Sequence, residues 1–210
     1  MFEETLIKGG QEALALLGQS KFLKDAYMAG GTAAALQLGH RISVDFDFFT
    51  NKEFIPRSFS FKLAKLGSFS QEQVSKGTLL GKFMGVKFSL FDYKYPLLFP
   101  VKNYCSLNLA DIRDIAAMKV DAIASRGARR DFIDLYFICK AGHSLQDIFY
   151  FYNKKYHVLE SNYIHLQKSL VFFQDAELEE MPRMINSVIW EDVKRYFEKE
   201  LKKIAKMRIS

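Results

Sequence analysis

The chain has 210 residues, 49% of them hydrophobic, with 20 Phe, 10 Tyr and a formal net charge of +6. That is enough apolar side chain for a real core, in one domain or two small packed ones, and most of the aromatics are expected inside it. Cys105 and Cys139 stand far apart with no second pair, which excludes a disulfide scaffold and a zinc site. The N-terminus carries acids near its start, and no stretch of roughly eighteen uncharged apolar residues occurs, so neither a signal peptide nor a membrane span is expected and the expected location is cytoplasmic.

In chain order, Leu6, Ala13, Leu16 and Leu17 recur at helical spacing and predict a helix over residues 3–17, with a short helix around Phe22 and Leu23. AYMAGG then reads as a strand ending in two glycines, and TAAALQLG as a helix stopped by Gly39. ISVDFDFFT switches the period to two, with Val44, Phe46 and Phe48 on one face and Asp45 and Asp47 on the other. A helix over 59–66 is followed by three strands over 69–74, 79–84 and 86–93, separated by Gly77 and Gly85 as in an antiparallel meander extending the same sheet. Beyond Pro96 and Pro100 the pattern is helical, over 109–126, 131–140, 145–156, 163–173 and 188–207. The expected organisation is an α/β sheet region over 1–100 and a helical region over 101–210, with the chemistry in the cleft between them.

Gly30 and Gly31 lie where a strand turns into a helix. Without Cβ atoms they would let backbone N–H groups approach a phosphate at the positive helix end. Thr32 could cap that helix and donate its hydroxyl, although for the tripeptide alone a plain capped turn is the better reading. Asp45 and Asp47, two apart on a strand, have Cα atoms about 6.6–6.8 Å apart and project to one face, where they could share a hard divalent cation. Turn and acid pair together bring phosphate donors and metal ligands to one sheet end, as phosphoryl-type transfer requires. The net positive charge suits a polyanion such as RNA or a nucleotide, and a solvated basic surface accounts for it as well.

GGTAAALQLGHRISVDFDFF resembles the signature of the AbiEii/AbiGii toxins, a branch of the DNA polymerase beta-like nucleotidyltransferases. MKVDAIASRGARRDFIDLYFI is similar to the family's second pair of motifs, and the resemblance runs over roughly residues 25–140. It implies an α+β fold, a polymerase beta-like mixed sheet flanked by helices and followed by a helical C-terminal region. It further implies phosphate binding by Gly30, Gly31 and Thr32, Mg²⁺ held by Asp45 and Asp47, nucleotide contact by Lys119, and a catalytic role for Asp131. Arg41, Arg129 and Asp134 fall inside the motifs; Arg41 and Arg129 are read as nucleotide-binding. The implied activity is Mg-dependent transfer from an NTP to a hydroxyl acceptor such as RNA, with the tRNA 3′ end as one option, by the toxin of a type IV toxin–antitoxin or abortive-infection pair with a cognate antitoxin.

The residues leave alternatives open. Arg130 could simply pair with Asp134, and Lys119 with Arg126 could form a solvated stripe. The later strand GVKFSLFDY offers Ser89 where many relatives place a third carboxylate, so Asp92 or Asp131 could supply the missing acid. A module that binds nucleotide without turnover, or an enzyme acting on a protein or small-molecule hydroxyl, fits the same motifs. His40 reads as a polar loop residue, and His143, His157 and His165 show no ligand spacing. The stretch WEDVKRYFEKELKKIAKMR reads as an amphipathic helix, with RNA docking as the alternative.

Overall fold

The computed structural model describes residues 1–157 and 160–207, so Arg208 of the basic C-terminal stretch lies outside the described residues. Its centre is a mixed seven-stranded sheet of β1 (Tyr27–Ala29), β2 (Asp45–Thr50), β3 (Phe69–Ser75), β4 (Thr78–Phe83), β5 (Val86–Asp92), β6 (Lys102–Tyr104) and β7 (Leu107–Leu109). The spatial order is β3-β4-β5-β2-β1-β7-β6. The meander β3-β4-β5 is antiparallel, as expected; β5 joins β2 in parallel, β2 joins β1 antiparallel, and β1 joins β7 in parallel.

The sheet does not stop at residue 100. β6 and β7 form a hairpin whose turn residues, Cys105 and Ser106, both take positive φ, and β7 completes the sheet beside β1. Three-residue strands without an Asn-Gly or Asp-Gly turn leave little periodicity to detect, which is why 101–109 read as the approach to a helix. Helix α1 (Gly10–Gln19) presses close on this hairpin: a Cβ on Gly18 would stand 1.7 Å from the Cys105 carbonyl oxygen. Residues 3–5 form a separate 3-10 turn, and the segment after α1 makes turns in place of the expected short helix.

Helix α2 (Gly30–Leu38) ends on Gly39 in the left-handed conformation, as its sequence predicts. It packs on β2, on α4 (Ile112–Arg126) and on α5 (Arg129–Lys140), while α3 (Pro56–Leu66) covers β3 and β4. Met28, Phe46, Phe48, Phe88 and Leu90 from the central strands are fully buried, whereas Val44, expected inside, precedes β2 and is 46% exposed. Helices α6 (Leu145–Tyr156), α7 (Glu160–Ser169) and α8 (Gln174–Glu177) follow, and α9 (Trp190–Met207) closes the chain. Trp190, Val193, Phe197, Leu201 and Ile204 form the buried stripe of α9, and Phe197 stacks edge-on against Phe132 of α5, so its apolar face belongs to the core.

One buried ion pair fastens the helices to the loop between β5 and β6. Lys155 on α6 donates to Asp114 on α4 (2.9 Å) and to the Pro96 carbonyl (2.6 Å), and Asp114 also accepts from the Leu98 and Phe99 amides. Both side chains are fully buried. Lys155→Met is therefore expected to lower unfolding free energy by about 3–5 kcal/mol, because it strands the Asp114 carboxylate without its cation. Urea denaturation followed by circular dichroism measures it, and a loss below about 1 kcal/mol would contradict this account of the loop.

Candidate active site

The site grows out of the alternation of β2. Phe46, Phe48 and Thr50 point inward, which leaves Asp45, Asp47 and Phe49 half-buried on the opposite face. β1 and β5 fix the register: Asp47 stands opposite Ala29 on one side and Ser89 on the other. The next residue after Ala29 is Gly30, with φ +70°, and a Cβ there would sit 2.7 Å from Asp47 Oδ2. At Gly31 a Cβ would sit 2.3 Å from Arg41 Nη2. The two glycines thus make room for an acid and a guanidinium at the start of α2, besides leaving the first helical amides open to the cleft.

Thr32 does not do what its position suggests. The N-cap of α2 is Ala29, and Thr32 is fully buried with its hydroxyl engaged by the Ser43 hydroxyl (2.8 Å) and the Asp45 carbonyl. It ties the start of β2 to the helix and offers nothing to a phosphate.

Beneath the acids lies a buried network of charge. The Lys119 ammonium sits between Asp131 (2.7 Å) and Asp134 (2.6 Å) and is 5% exposed. Asp134 also accepts two hydrogen bonds from Arg41 (2.6 and 2.9 Å) and faces His40 Nε2 at 2.8 Å. Asp131 takes two more from Arg126 (2.7 and 3.0 Å). Burial opposes every one of these charges, but the partners outweigh it. Arg41 and Lys119 hold the Asp134 carboxyl well below the usual range, and Lys119 and Arg126 hold Asp131 below it too. Burial would likewise discharge Lys119, yet Asp131 and Asp134 keep its pKa above the ordinary value, and Asp134 does the same for Arg41.

Several sequence expectations are corrected here. Asp131 and Asp134 are buried anchors for cations and are not free to act as a base. Arg41 is committed to Asp134 as a structural tether, and Asp134 pairs with Arg41 and Lys119, not Arg130. Arg129 turns away, donating to the Ala176 carbonyl and to Glu177 and lying over the Trp190 ring. Lys119 and Arg126 converge on Asp131 and do not form a solvated stripe. His40, read as a loop residue, is fully buried against Phe137. Asp92 stands opposite Thr50 at the end of β5, forms an ion pair with Lys94 (2.7 Å), and lines the cavity that also contains Asp47.

Two cavities meet at Asp47 and share Gly30, Lys119 and Arg126 in their walls. One, about 360 Å³, holds Asp45, Asp47, Gly31 and the arginines 41, 126, 130 and 183. The other, about 430 Å³, is walled by Phe49, Phe91, Tyr93, Tyr156 and Asp121. The Arg126 side chain is 53% exposed and reaches the junction. Arg183, absent from the sequence reading, arrives on the segment before α9: the Ile42 amide donates to the Arg183 carbonyl (2.8 Å), and Arg41 bridges to Met184. No local pattern could have announced that long-range pairing.

Asp45 and Asp47 differ from the acids below them. Among the described residues neither has a Lys or Arg nitrogen within 4 Å. Asp45 Oδ1 is buried without a hydrogen-bond partner, and burial, with the charge of Asp45, raises the Asp47 carboxyl above its ordinary value despite a hydrogen bond from Ser89. Two adjacent carboxylates left in this state are suited to a cation from outside. They are two ligands only, since the described residues hold no cluster of three or more His, Cys, Asp or Glu able to bind a metal. That fits Mg²⁺, which takes one or two carboxylates and completes its shell with water and substrate phosphate.

The anchoring network carries a pH signature. A carboxylate whose folded pKa is depressed contributes stability above its unfolded value and loses it as pH falls through the folded one. Asp134→Asn is expected to cost about 3–5 kcal/mol near neutrality. That gap should hold above about pH 5 and shrink below the ordinary Asp value of 3.8. Urea denaturation at a series of pH values tests this; a gap that widens on acidification would contradict it.

The family sequence pattern described as nucleotidyl transferase AbiEii toxin, type IV TA system, matches residues 86–207. A protein of Aquifex aeolicus (strain VF5), aq_aa25, itself uncharacterised, is 41% identical over 202 residues, covering 94% of this chain and 96% of that one. Two Helicobacter pylori crystal structures share the fold at a TM-score of 0.57. One is designated a candidate nucleotidyltransferase (17% identity, 94% of each chain), and the other is JHP933 (15% identity, 94% of this chain and 90% of that one). Among the described residues no helix is long and apolar enough to cross a membrane. With more than half of its length under that family pattern and a mixed sheet carrying a glycine bend beside an Asp-x-Asp strand, the chain belongs to the AbiEii family of nucleotidyl transferase toxins.

Proposed function

We propose that this protein transfers a nucleotide from an NTP to a hydroxyl of RNA, with Asp45 and Asp47 holding Mg²⁺ and the arginine-lined cavity holding the triphosphate. The observation that carries this is the contrast between the two sets of acids: the buried pair is saturated with cations, while the cleft pair has none and sits at a helix N-terminus beside exposed arginines.

In this reading the amides of Gly30 and Gly31 face the phosphates, and Arg126, Arg130 and Arg183 bind and orient them by charge-assisted hydrogen bonds. Lys119 and Arg41, pinned by Asp131 and Asp134, lend a fixed positive field at the cleft floor, so no reorganisation is needed when charge develops. Mg²⁺ held by Asp45 and Asp47 would supply neutralisation of triphosphate charge and Lewis-acid polarisation at the α-phosphoryl group. The new bond joins the acceptor oxygen to the α-phosphorus while its hydroxyl proton passes to solvent, the bond from the α-phosphorus to the α–β bridging oxygen breaks, and pyrophosphate leaves with that electron pair. The basic arginine wall suits a polyanionic acceptor, which supports RNA over a protein or small-molecule hydroxyl. A cognate antitoxin is the partner that family membership suggests.

Labelled NTP with Mg²⁺ and total RNA is expected to give transfer that falls on the order of a hundredfold or more in Asp45→Ala and Asp47→Ala. Transfer persisting in both variants would overturn the site, and labelling of protein or small-molecule acceptors alone would overturn the RNA assignment. Nucleotide binding without transfer to any acceptor would favour the non-catalytic reading that Ser89, in place of a third acid, allows. A stability readout separates function from folding. Because the folded pKa of Asp47 is raised, its ionised form destabilises the fold as pH climbs through that value, so inactive Asp47→Asn should melt at or above the wild-type temperature near neutrality. A marked drop in melting temperature would mean that Asp47 is structural.

A further inference from the structure

The cavity on the other side of Asp47 lies outside everything assigned so far. Its walls are aromatic: Phe49 packs against Phe91 (centroids 5.5 Å) and Tyr93 (5.2 Å), and the Tyr93 and Tyr156 hydroxyls bond each other. All four rings are only partly buried although they line a cavity of about 430 Å³, so they offer open faces. Among them stands a carboxylate, Asp121 on α4, that the sequence reading passed over.

Asp121 is half-buried, and among the described residues it has no Lys or Arg nitrogen within 4 Å. Its contact is the Tyr152 hydroxyl, which donates to Oδ1 at 3.2 Å. Asp114, Asp131 and Asp134, the other acids on α4 and α5, each hold a lysine or arginine. With Asp45 and Asp47, Asp121 makes three half-buried carboxylates left without a cation, all facing the joined cavities. Burial raises the Asp121 carboxyl above its ordinary value, the sign of a charge short of donors.

We propose that this aromatic cavity is a base-reading subsite, in which a nucleobase stacks on the rings and Asp121 accepts an N–H from its edge. The inference rests on the nucleotidyltransferase reading, because the cavity adjoins the triphosphate cavity across Gly30, Asp47 and Arg126. A molecule with an anion at one end and a planar ring at the other spans the two. Stacking favours any base, since each has a π face. Selection comes from the carboxylate, which only accepts. Adenine, cytosine and guanine offer an exocyclic amine, whereas uracil offers a single ring N–H between two carbonyls that repel a carboxylate. The base belongs either to the NTP or to the 3′ end of the RNA acceptor, and both present the same edge.

Calorimetry of the full chain with Mg²⁺ separates these sources, using the four NTPs in one arm and short RNAs differing only in the 3′-terminal base in the other. In one arm the wild type is expected to bind amine-bearing bases roughly tenfold more tightly than uracil. Asp121→Asn should shrink that preference below about threefold without weakening the uracil ligand, whose carbonyls no longer meet a carboxylate, and that retained binding also certifies the fold. Phe91→Leu should weaken all four ligands alike. If Asp121→Asn leaves the base preference intact in both arms, or none exists in the wild type, the subsite is overturned while the triphosphate site stands. If the wild type binds neither NTP nor RNA, the nucleotidyltransferase reading falls and takes this one with it.

Discussion

The Lys119 ammonium, clasped between Asp131 and Asp134, is the interaction on which the rest of the site depends. Lys119, Arg41 and Arg126 bring three positive charges to two buried acids, so that each carboxylate is held by two cations and the network keeps a positive balance toward the cleft. The network spans the loop before β2, α4 and α5, and so fixes the strand carrying Asp45 and Asp47 against the helices behind it. It also commits Lys119 and Arg41 to the buried acids. Those two cations are engaged one layer down, while Arg130 and Arg183 line the same cavity as the cleft acids without pairing with them.

This division of labour gives the cleft its polarity. On one side of Asp47 lie Arg126, Arg130 and Arg183; on the other lie four aromatic rings with Asp92, Asp121 and Asp131. The glycine bend serves both sides, because Gly30 lets an oxygen of Asp47 approach the start of α2 and Gly31 lets the guanidinium of Arg41 pass. A methyl group at either position would collide with a side chain on which the arrangement relies, and at Gly30 it would also sit on a backbone with φ +70°.

The parts legible in the sequence were those with a short-range signature. The Asp45/Asp47 alternation, the strand–glycine–helix turn and the Gly39 stop each follow from local period or propensity and recur in the structure. The residues whose contacts the sequence does not show share a cause: Thr32, Arg41, Asp131 and Asp134 sit in motifs, yet their partners lie as many as 94 positions away. Arg129 and Arg130 are adjacent, and only the phase of α5 against α8 decides that the first turns to Glu177 and the second to the cleft. Strands β6 and β7 were too short for a period to show, and Arg183 reaches the site through a backbone pairing with the loop at residue 42. Asp121 fell between Lys119 and Arg126 in a motif whose better-marked residues drew the reading away from it.

The central claim is that Asp45 and Asp47 together hold a divalent cation that a triphosphate completes. Its most direct measurement is anomalous diffraction from crystals soaked with Mn²⁺ and a non-hydrolysable NTP analogue. The account predicts a peak between the two carboxylates, with the triphosphate running toward Arg126 and Arg183. Manganese bound elsewhere with this pair bare, or a triphosphate seated away from the glycine bend, would contradict it.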